Sequence, residues 1–100
     1  MSVVVTGHLK VDPNNLLSLF TSHKDVFERV AEAAKDAGAI HHQFLLGDGE
    51  VVIVDEWDTA ESFQAFFAGN PDIPGLMEAG GVQGPPEIAI YETTDSPDKF

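Results

Sequence analysis

Apolar and polar residues alternate at the start of the chain. Val3, Val5, Gly7, Leu9 and Val11 share one parity, and Val4, Thr6, His8 and Lys10 share the other. A period of two belongs to a strand and predicts one over residues 3–11. Asp12-Pro13 then forms a helix start, with aspartate at the cap and proline at the first helical position, where no backbone N–H is needed. From Leu16 the spacing becomes that of a helix face: Leu16, Phe20, Phe27, Val30, Ala34 and Ala37, with His23 in the gap of the stripe. Ser22 followed by Asp25 is also a restart signal. The stretch therefore reads either as one helix or as two, broken near Thr21. Gly38 closes it, since glycine suits the left-handed position past a last helical turn.

Two apolar runs follow, residues 40–46 and 50–57, joined by the hairpin signal Gly47-Asp48-Gly49. The second run ends on Asp55-Glu56-Trp57 and passes at once into Asp58-Thr59-Ala60-Glu61-Ser62-Phe63. Asp58 is the expected cap of the next helix, with Glu61 completing a capping box. Strand parity places Val51, Ile53, Asp55 and Trp57 on one face, so a carboxylate and an indole leave the strand on the same side. The second helix, residues 59–68, carries Phe63, Phe66 and Phe67. Residues 70–86, rich in glycine and proline, read as a long loop with one helical turn at 76–79. Residues 88–91 form a last strand, and 93–100 a polar tail. The order β-α-β-β-α-β defines one ferredoxin-like α+β domain over residues 1–100, an antiparallel four-stranded sheet with its helices on one face. Val52 and Val54, opposite Val51 and Ile53, are apolar as well, whereas a wetted sheet face should be polar. Something must cover that face. A second copy, packed sheet to sheet as a dimeric α/β barrel, is the simplest cover.

Composition narrows the partners. Seventeen acidic against five basic residues give a net charge of −12, which repels nucleic acid and anionic membrane surfaces alike. No apolar run is long enough to span a bilayer, and the N-terminus lacks the basic region and apolar core of a signal peptide, so a cytoplasmic protein is expected. The acidity fits either a salt-rich cytoplasm or high solubility. With no cysteine there is no disulfide, thiolate metal site or cysteine nucleophile. His41 and His42 point to opposite faces of a strand and cannot clamp one metal, and no zinc spacing exists. No phosphate-binding glycine loop or nucleophile elbow appears. Neither a metal nor a cofactor is expected.

The motif Asp55-Glu56-Trp57 running into Glu61-Ser62-Phe63, with Val11-Asp12-Pro13 and Ala37-Gly38 upstream, resembles the dimeric α/β-barrel superfamily of antibiotic-biosynthesis, quinol and haem-degrading monooxygenases. The resemblance spans nearly the whole chain. It implies a pocket between helices and sheet. The chain departs from the haem degraders at each functional position: no asparagine in the first strand, Phe66 where they carry a second tryptophan, and Leu76 where the ligand histidine falls. Phe66 also replaces the histidine common among the oxygenase-like members.

The resemblance implies a small homodimeric, cofactor-independent monooxygenase acting on a hydroxylated aromatic or quinol. Asp55, beside an indole, is a candidate proton acceptor, its carboxyl expected to be harder to ionise when desolvated; equally, it can serve only as a structural acceptor. His23 is the second candidate base if its helix is continuous, and a solvent-facing residue if it is not. Trp57, Phe63, Phe66, Phe67 and His42 are expected to line the pocket. Tyr91 joins them or lies at the dimer interface. The alternative is a non-catalytic homodimer of the same fold that binds a small apolar or aromatic ligand or serves as an interaction module.

Overall fold

In a computed structural model describing residues 2–100, the alternating N-terminal run forms β1, Val3–Lys10. Helices α1, Pro13–Ser22, and α2, Lys24–Ala37, follow. The hairpin is β2, Ala39–Leu46, and β3, Glu50–Trp57. Helices α3, Ala60–Gly69, and α4, Ile73–Gly80, lead to β4, Glu87–Glu92. The sheet is antiparallel throughout, in the order β2-β3-β1-β4. This is the expected ferredoxin-like α+β arrangement, with each crossover built from two helices instead of one. Among the described residues no helix is long and apolar enough to cross a membrane.

The first crossover breaks at His23. The backbone there leaves helical geometry (φ −123°, ψ 31°); its N–H closes α1 on the Leu19 carbonyl, and its own carbonyl accepts the N–H groups of Val26 and Phe27 to open α2. The break has a packing reason. Residues seven apart on a straight helix are separated by about 10.5 Å along its axis. Phe20 and Phe27 instead meet edge to face at 5.1 Å, and both rings reach Phe44 of β2. The second crossover contains α4, a full helix where the sequence suggested a single turn. Asp72 and Pro74 begin it, and Gly81, at φ 76°, ends it in the left-handed conformation.

Asp58 does not cap α3. Thr59 does, its Oγ1 accepting the Ser62 N–H at 3.1 Å, while Asp58 Oδ1 accepts the N–H of Thr59 itself. The expected Asp58–Glu61 capping box is therefore replaced by a Thr59–Ser62 pair. The Asp58 carboxylate instead lies against Gly38, whose φ of 124° and lack of a side chain make room for it.

All four helices lie on one side of the sheet, and the core beneath them is in two parts. One is Val3, Val5, Trp57 and Phe63, with Ala34, Ala39, Phe66, Phe67 and Ile90 around it. The other is Leu9, Val11, Leu16 and Val51, with Phe20, Phe27, Phe44 and Met77. Helix α2 contributes no fully buried residue to either. An Arg29–Asp72 ion pair ties it to the start of α4, with guanidinium nitrogens 2.9 and 2.8 Å from the two carboxylate oxygens.

Candidate functional site

The hairpin register brings the polar residues of the helix-facing side together. Counting outward from the turn, Leu46 faces Val51, Phe44 faces Ile53 and His42 faces Asp55. Ile40 is the extra residue of a bulge between Ala39 and His41, which leaves it largely exposed. Directly opposed strand residues have Cβ atoms about 5 Å apart, close enough for side chains to pair. His42 Nδ1 lies 2.6 Å from Asp55 Oδ1, and Trp57 Nε1–H donates to Asp55 Oδ2 at 3.2 Å. Asp55 is 8% exposed and is the buried charged residue of this core. Both its oxygens meet a donor, so the burial is satisfied.

A carboxylate can only accept. Nδ1 of His42 therefore carries the proton, and in the neutral ring Nε2 keeps a lone pair. Nε2 has no hydrogen-bond partner among the described residues. The ring stands at 86° to that of Phe44, centroids 4.8 Å apart, and its side chain is 45% exposed.

Between sheet and helices lies a cavity of about 540 Å³, within the range of roughly 300–1,000 Å³ usual for small-molecule sites. Gly7 forms part of its floor. Trp57 with Phe63 and Phe66 lines one end, and Phe20, Phe27 and Phe44 the other. Ile40, His41, Glu28 and Lys35 line it where they are also exposed, so its mouth opens between α2 and β2. Asp55 is the polar side chain set deeper, and His42, which pairs with it, is half exposed. Among the described residues no three histidine, aspartate or glutamate side chains come together as ligands for a metal ion.

The cavity thus gathers Asp55, Trp57, Phe63, Phe66, Phe67 and His42. It does not gather His23 or Tyr91. His23 sits at the α1–α2 break, its Nδ1 2.7 Å from Ser22 Oγ, outside the cavity lining. The break takes it off the stripe that faces the sheet. Tyr91 pairs in register with Val4, on the opposite face of the sheet, and is 57% exposed. The convergence expected for His23, Asp55 and Trp57 is replaced by one of His42, Asp55 and Trp57. The tight turn is the signal in the sequence that leads there: it closes on Asp48-Gly49, with the Gly47 N–H donating to the Glu50 carbonyl at 2.9 Å, and so sets the register that makes His42 and Asp55 partners.

No protein-family profile and no curated protein matches the sequence. Solved structures do match. A conserved protein from Methanosarcina mazei Go1 aligns with a TM-score of 0.68 at 19% identity over 94% of each chain. SnoaB, a cofactor-independent oxygenase from Streptomyces nogalater, aligns with a TM-score of 0.63 at 15% identity over 98% of each. A monooxygenase from the gene ActVA-Orf6 of Streptomyces coelicolor, in complex with the ligand Nanaomycin D, gives 0.62 at 18% identity over 95% of this chain and 88% of that one. The chain has the fold of the antibiotic-biosynthesis monooxygenase-like proteins, as its strand-end motif suggested. At these identities the likeness is one of fold, and function must be argued from the site.

Proposed function

We propose that the chain is a small monooxygenase that takes a hydroxylated aromatic or quinol into the cavity and oxidises it without a tightly held cofactor. One observation carries this reading: a hydrogen-bonded Trp57–Asp55–His42 relay set in the wall of a largely apolar, aromatic-lined cavity. Aromatic walls suit a planar ring system, since offset and edge-to-face contacts each contribute about 0.5–1.5 kcal/mol beyond area burial. The relay supplies a place for the proton that such a substrate must lose before it can give electrons to oxygen. Similarity in fold to SnoaB, itself a cofactor-independent oxygenase, supports the same reading.

The substrate is its own reductant. With anthrone as the model compound, loss of a ring proton leaves an electron-rich anion that reduces O₂; one oxygen atom enters the ring as the new carbonyl and the other leaves as water. Anthrone and one O₂ thus become anthraquinone and one water. A second copy of the chain, packed on the open sheet face over Val4, Thr6, Val52 and Val54, completes the molecule in this reading.

The test is anthrone oxidation in air, with oxygen uptake and anthraquinone formation measured together. One O₂ consumed per anthraquinone, at a rate above buffer, is the expected result. Saturable binding of anthrone with no oxidation would favour the second reading, a non-catalytic ligand-binding module. Phe66, an apolar side chain tilted over Trp57 at 5.3 Å, is the observation on that side.

A further inference from the structure

We infer that His42, held by Asp55, is the group that removes the substrate's proton, and that this gives the cavity an oxygen-independent activity: reversible exchange of an acidic C–H proton of a bound keto–enol aromatic with solvent. The inference rests on the reading of the cavity as the site for such a ring system, and it assigns Asp55 a different part from the one its burial first suggests.

Asp55 is poorly placed to be the base. Each of its oxygens already accepts an N–H, from His42 on one side and Trp57 on the other. A proton taken up there would cancel the negative charge that strengthens both of these hydrogen bonds. His42 has the complementary arrangement. Its Nδ1–H is committed to Asp55, which leaves the Nε2 lone pair unengaged on a side chain that lines the cavity. A base must come within about 3 Å of the proton it takes, directly or through one water. Of the two ring nitrogens, only Nε2 is not already engaged.

The step balances without an oxidant. A ring C–H bond of anthrone breaks, its electron pair stays on the carbon and delocalises onto the oxygen of the anthrolate, and the proton passes to His42 Nε2. The resulting imidazolium faces the Asp55 carboxylate across the hydrogen bond already in place, so the new positive charge is formed beside a buried negative one. Trp57 holds the second carboxylate oxygen and so fixes the direction of the first. His42 is thus the catalytic residue, and Asp55 and Trp57 are positioning residues. Return of a solvent proton restores anthrone, and in heavy water the restored bond carries deuterium. Under air the same anthrolate is available to oxygen.

The experiment uses the full chain with anthrone in deuterated buffer under argon, deuterium at the acidic ring carbon being followed by NMR. Wild-type protein is expected to accelerate exchange over buffer, and His42→Phe to lose that acceleration by about 10²–10⁴, the usual contribution of a general base. Asp55→Asn is expected to fall part of the way, because an amide has one acceptor oxygen for two N–H donors. His42→Gly should recover exchange when free imidazole is added, which a merely structural histidine would not permit. Thermal melts of each variant show that the fold persists, and His42→Gln supplies a second variant should the phenylalanine disturb the hairpin.

Wild-type exchange no faster than buffer, or exchange that survives in folded His42→Phe or His42→Gln, overturns the inference. Loss of exchange in His42→Gly without rescue by imidazole also counts against it. The oxygenase reading fails separately. His42-dependent exchange under argon with no anthraquinone formed in air supports the base assignment and removes the oxygenase. Oxidation in air that is indifferent to His42 does the reverse.

Discussion

Asp55 has two roles that separate at the level of single atoms. As an acceptor it satisfies the buried Trp57 indole N–H, and as a partner it orients His42. Asp55→Ala removes the acceptor and leaves that N–H unpaired, which should destabilise the fold by about 1–3 kcal/mol. In the Asp55→Ala background, adding Trp57→Phe removes the unpaired donor as well, so the double variant should be less destabilised than the sum of the two single changes. Chemical denaturation of the four proteins measures the coupling, and strict additivity would show that the 3.2 Å contact contributes nothing. Residue identity and strand parity together were enough to place Asp55 and Trp57 on one side of one strand. They could not show that His42 engages the other oxygen of Asp55, because that depends on a residue from the neighbouring strand.

At the scale of elements, Gly38 is where two of them lock together. Its φ of 124° disfavours any side chain, and a Cβ there would collide with the Asp58 carboxylate, while the Asp58 N–H donates to the Gly38 carbonyl at 3.0 Å. Gly38→Ala should therefore cost about 1–3 kcal/mol, and a melting temperature equal to wild type would contradict the account. The Arg29–Asp72 pair joins α2 to the start of α4. Hydrogen bonding from Arg29 holds the Asp72 carboxyl below the usual carboxylate range. A lowered folded-state value means that the stabilisation is complete above the ordinary aspartate pKa of 3.8 and is lost as pH falls below it. Asp72→Asn should thus melt slightly below wild type at neutral pH, and the difference should close in acid; a gap that widens in acid would reverse the sign. The pair is exposed, so the difference should also shrink with salt. These elements were unequally legible. Alternation and caps gave the strands and the hairpin. The helix break at His23 was readable only as one of two options, because the Phe20–Phe27–Phe44 contact that favours it is tertiary. The cap passed to Thr59 because Asp58 turns toward Gly38, a residue from the other end of the hairpin.

For the whole molecule, the open sheet face remains the main expectation. Val52 and Val54 sit at its centre, with His8–Glu50 paired at one end and Tyr91 near the other. Sedimentation equilibrium at micromolar concentration should give about twice the chain mass of 10.8 kDa. Val54→Asp should give monomeric or insoluble protein, and a wild-type mass of one chain would end the dimer. An interface of ordinary size buries about 800 Å² on each partner. The core also has a consequence at this scale, because it is in two halves with a cavity between them. A molecule that fills the space binds the folded chain and not the unfolded one, so mass action couples its concentration to melting. At a hundredfold excess over Kd the gain is about 2.7 kcal/mol, and each kcal/mol moves the transition of a domain this small by roughly 4–8 °C. A correctly matched ring system should therefore announce itself as a rise of ten degrees or more in Tm, before any product is sought and whether or not the protein turns it over.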